Sequence, residues 1–104
     1  MLNEVSVKFN SDQQFRIGTE GLDKITDQEA RTWLDQEYED FGCEPLNPVG
    51  KVLNADKVIS IARAAGPKMF AEDAQWARTF AQATLLTLHR PVVRIDVEGM
   101  TISY

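Results

Sequence analysis

The sequence predicts an α+β fold. It is read as a two-layer sandwich, with a four-stranded, mainly antiparallel sheet from two terminal hairpins and three helices on one face, in the order ββαααββ. Three observations predict it. Both ends of the chain alternate apolar and polar side chains at the period of a half-buried strand. The segment between them carries apolar stripes at helical spacing. Each hairpin gathers its apolar side chains on one face, which calls for a single layer of cover.

The first hairpin spans residues 3–19. Val5, Val7 and Phe9 alternate with Glu4, Ser6 and Lys8, and Asn10-Ser11-Asp12-Gln13-Gln14 is polar and turn-forming. A loop of those five residues pairs Phe9 with Phe15, Val7 with Ile17 and Val5 with Thr19. In the second hairpin Val93, Ile95 and Val97 alternate with Arg94 and Asp96. A Glu98-Gly99 turn, with glycine taking the positive φ, pairs Val97 with Met100, Ile95 with Ile102 and Val93 with Tyr104.

Thr26-Asp27-Gln28-Glu29 has the form of a capping box, with Ile25 placed as its hydrophobic staple. Ala30, Trp33, Leu34, Tyr38 and Phe41 follow at helical spacing and Gly42 suits a left-handed stop, so the first helix is placed at about 27–41. Pro45, Pro48 and Gly50 make 43–54 an irregular connection. The second helix is placed at 55–65, ended by Gly66, although Val58-Ile59-Ser60-Ile61 also suits a strand. The third is placed at 68–89, with Pro67 in its first turn, a stripe of Phe70, Ala74, Ala77, Ala81, Leu85 and Leu88, and Pro91 beyond its end.

A chain of 104 residues suits one domain with a core that needs no disulfide or metal. The net charge of −5 argues against a nucleic-acid binder, because lysine and arginine on phosphate supply most of that affinity. The charge is divided unevenly: residues 1–52 hold 11 acids and 5 bases, residues 53–104 hold 5 acids and 6 bases. The acidic half is thereby matched to a basic protein partner or to the other half of the chain. Cys43 is the only cysteine, which excludes an internal disulfide and fits a reducing compartment. No basic segment followed by an apolar run marks a signal peptide, and no apolar stretch is long enough to span a membrane. The expectation is a cytoplasmic protein, off the membrane, without cofactor or metal, and monomeric or weakly dimeric through a free sheet edge.

No catalytic or cofactor motif is present. Gly50-Lys51 lacks the rest of a phosphate loop, Asp40-Phe41-Gly42 has no kinase around it, and Asp35–Asp40 lacks the glycine of a calcium loop. Two features remain. Asp35, Glu37, Glu39 and Asp40 crowd the C-terminal half of the first helix, where the dipole disfavours negative charge, and Glu44 follows. They read either as a solvated face or as a docking surface formed by Asp35, Glu39, Asp40 and Glu44. Glu37 falls inside the aromatic stripe, where lost solvation would raise its pKa and suit it to general acid–base work in a pocket walled by Trp33 and Tyr38. Alternatively it reaches water or pairs with Arg63 or Arg94. His89 at the end of the third helix reads as a partner of the helix dipole, and Cys43 as an unreactive thiol. The leading expectation is a non-catalytic interaction domain. The alternatives are a small enzyme or ligand-binding domain using Glu37, and a self-associating structural protein.

Overall fold

The sheet is organised around its first strand. A computed structural model of the chain describes residues 4–45, 53–90 and 94–104. In it β1 (Glu4–Asn10) lies between β2 (Gln13–Gly18) and β3 (Arg94–Asp96), with β4 (Thr101–Ser103) outermost, in the order β2-β1-β3-β4. The two hairpins are antiparallel within themselves and join through a parallel pairing of β1 with β3, Val7 opposite Ile95. They therefore form one sheet, with Val5, Val7 and Ile95 fully buried.

The first hairpin is tighter than the five-residue loop predicts. Val5 faces Ile17, Val7 faces Phe15 and Asn10 faces Gln13, with an irregularity between Lys8 and Asn10. Asn10 is the cause: its side-chain oxygen accepts from the backbone N–H of Asp12 at 2.8 Å and of Gln13 at 2.9 Å. Such an Asx turn closes the chain two residues earlier. A slip of two residues keeps every side chain on its face, so the apolar side survives.

In the second hairpin Ile95 does face Ile102, but the turn differs. The positive φ falls on Met100 (54°) and not on Gly99. Asp96 Oδ1 accepts from the Gly99 N–H at 2.9 Å, and a Cβ on Gly99 would lie 3.2 Å from Asp96 Oδ2. Glycine is thus suited here by close approach, not by its dihedral. Val97 leaves its predicted partner Met100 and donates to the Lys8 carbonyl at 2.8 Å. Met100 and Tyr104 stay out of the core, and the Arg90 guanidinium lies 3.9 Å from the Tyr104 ring centroid. The predicted Val93–Tyr104 pair, Pro91 and residues 46–52 lie outside the described residues.

Helix α1 (Asp27–Asp40) carries the predicted capping box: Thr26 Oγ1 accepts from the Glu29 N–H at 3.1 Å and Glu29 Oε1 from the Thr26 N–H at 3.0 Å. Helix α2 (Asn54–Glu72) settles the ambiguity at 58–61 in favour of helix. Gly66 breaks its backbone at φ 81°, ψ 166°, so the predicted stop is real, but helical structure resumes at Pro67. Helix α3 (Ala74–Leu88) begins later than the predicted 68, because Asp73 intervenes and its side chain accepts from the Trp76 N–H at 3.0 Å. An N-cap of this kind starts a new helix.

Helices α2 and α3 pack on β1 and β2, and α1 packs chiefly on α3 and α2. Consequently α3 is central and buried on more than one stripe: Trp76, Ala77, Phe80, Ala81, Gln82, Ala83, Thr84 and Thr87 are all inside. Of its polar members, Gln82 donates to the Glu20 carbonyl and Thr84 Oγ1 to the Phe80 carbonyl at 2.8 Å, whereas the buried Thr87 hydroxyl has no hydrogen-bond partner among the described residues. Among the described residues no helix is long and apolar enough to cross a membrane.

The candidate site at the end of the first helix

The last turn of α1 is closed by its own backbone. The Cys43 N–H donates to the Tyr38 carbonyl and the Gly42 N–H to the Glu39 carbonyl, each at 3.0 Å. Gly42 takes φ 66°. This is a Schellman stop, and it fixes where the side chains of the final turn project. No basic residue lies in that turn.

Asp35, Glu39, Asp40 and Glu44 are all exposed, and Glu37 is half-buried. Their surroundings differ. Asp35 forms an ion pair with Lys57 of α2, whose ammonium also lies 5.8 Å from the centroid of the Tyr38 ring. Asp40 Oδ1 accepts from Gln36 Nε2 at 2.8 Å, a contact that leaves its charge uncompensated. Glu39 and Glu44 form no ion pair among the described residues. Asp35, Tyr38, Glu39 and Lys57 line a groove of about 440 Å³ that runs to Gly42 and Cys43. Glu44 lines a neighbouring groove with Arg63.

Glu37 points elsewhere. Its Oε1 accepts from Trp76 Nε1 at 2.9 Å, so its partner is an indole of α3 and neither Arg63 nor Arg94. Trp33 and Phe41 stand 5.8 and 6.0 Å from the Trp76 ring, one on each side of Glu37 in sequence. The residues suggested as pocket walls do not face one space. Trp33 lines a groove of about 430 Å³ with Gln28, Glu29, Thr32 and Gln36, whereas Tyr38 lines the one shared with Lys57.

Cys43 is half-buried and its thiol donates to the Ser60 carbonyl at 3.6 Å. Burial raises the pKa of that thiol above its ordinary value, as it does for the Tyr38 phenol, whose hydroxyl finds no hydrogen-bond partner among the described residues. His89 caps α3 in a left-handed conformation and lies 3.8 Å from Asp27, with both side chains more than half exposed. Among the described residues no three His, Cys, Asp or Glu side chains gather as a metal site.

Sequence reasoning missed Lys57 and Trp76 as the partners of Asp35 and Glu37. Neither pairing leaves a local signature, since the partners lie 22 and 39 residues away. No family model, curated protein or solved structure matches the chain.

Proposed function

We propose that this chain is a non-catalytic interaction domain that docks a basic protein partner on the end of α1. The observation that carries the reading is Glu39, Asp40 and Glu44: exposed carboxylates at or just past a helix C-terminus, without an ion pair among the described residues. In the free chain Glu39 and Asp40 each cost about 0.3–1 kcal/mol against the dipole at low salt. A cationic partner would turn that cost into attraction, and it would be bound more weakly as salt rises. Asp35 takes a lesser part, because Lys57 already neutralises it. Such a domain would work in the cytoplasm as a monomer or weak homodimer.

The test is charge reversal at the three carboxylates that lack an ion pair. A Glu39→Lys, Asp40→Lys, Glu44→Lys chain, folded by circular dichroism, should lose the low-salt partners that the native chain captures. Those partners should also elute from the native chain as salt is raised. Capture unaffected by the reversal would show the surface to be inert.

A further inference from the structure

We draw no further inference here: the strongest candidate, the groove of about 680 Å³ lined by Cys43, Ser60 and Arg63 between the end of α1 and α2, rests on a lone cysteine whose thiol is already held by the Ser60 carbonyl, and the unpartnered Ser60 hydroxyl beside it has no surface open to a ligand.

Discussion

Glu37 lies in the aromatic stripe of α1 and accepts a hydrogen bond from the indole of Trp76. Its position in the aromatic stripe is legible from spacing alone, but its partner is not, because Trp76 comes from another helix. If the contact is structural, Trp76→Phe should destabilise the chain by about 1.5–3 kcal/mol, leaving a half-buried charge without its donor. Glu37→Gln, which keeps an acceptor, should cost about 1 kcal/mol or less. Urea unfolding of both variants measures this, and equal costs would mean that the negative charge is held by something other than the indole. The Cys43 thiol and Tyr38 phenol make a second prediction at this scale. Their pKa values are raised by burial from ordinary values of 9.0 and 10.0, so the unfolded chain releases these protons first. Stability contributed by the buried neutral forms is therefore complete below pH 9.0 and is lost as pH climbs toward the folded-state values. Cys43→Ala should remove the earlier part of that decline. A native chain whose urea midpoint stays flat from pH 8 to 11 would contradict it.

The elements divide by how local their signals are. The capping box at Thr26–Glu29 and the Gly42 stop are written in adjacent residues, and both are present. The break at Asp73 was also local, but Pro67 and the continuing apolar stripe obscured it, and one long helix stood in place of two pieces. The first hairpin's register escaped for a different reason. A slip of two residues leaves a period-2 pattern unchanged, so alternation cannot choose between the looser loop and the Asn10 turn. Gly66 gives the sharpest test at this scale. Its φ of 81° with ψ of 166° belongs to a region that only glycine occupies readily, yet a Cβ there would meet nothing within 4 Å. Gly66→Ala should therefore cost about 1–3 kcal/mol from backbone strain alone. Gly42→Ala, in the milder left-handed region, should cost about 1–2 kcal/mol. Thermal or urea unfolding ranks the two, and a neutral Gly66→Ala would mean that the kink is not needed.

At the scale of the molecule, the α+β class and the single sheet followed from two terminal ribbons with one apolar side each. The parallel β1–β3 junction did not, since strand order depends on where the intervening helices return the chain. Nor did the central place of α3, whose buried Gln82 and Thr84 read as surface residues until their partners, the Glu20 and Phe80 carbonyls, are seen. The same arrangement pairs α1 with α2 through Asp35 and Lys57 and leaves Glu39, Asp40 and Glu44 facing outward. Whether that acidic end recognises cations is best measured by following backbone amide NMR shifts while a lysine-rich peptide is added at low salt. Docking at this end predicts saturable shifts clustered on residues 37–45, reversed by added salt and absent from the triple charge-reversal chain. Shifts scattered over the surface, or centred on the open face of the sheet around Ser6 and Arg94, would contradict it.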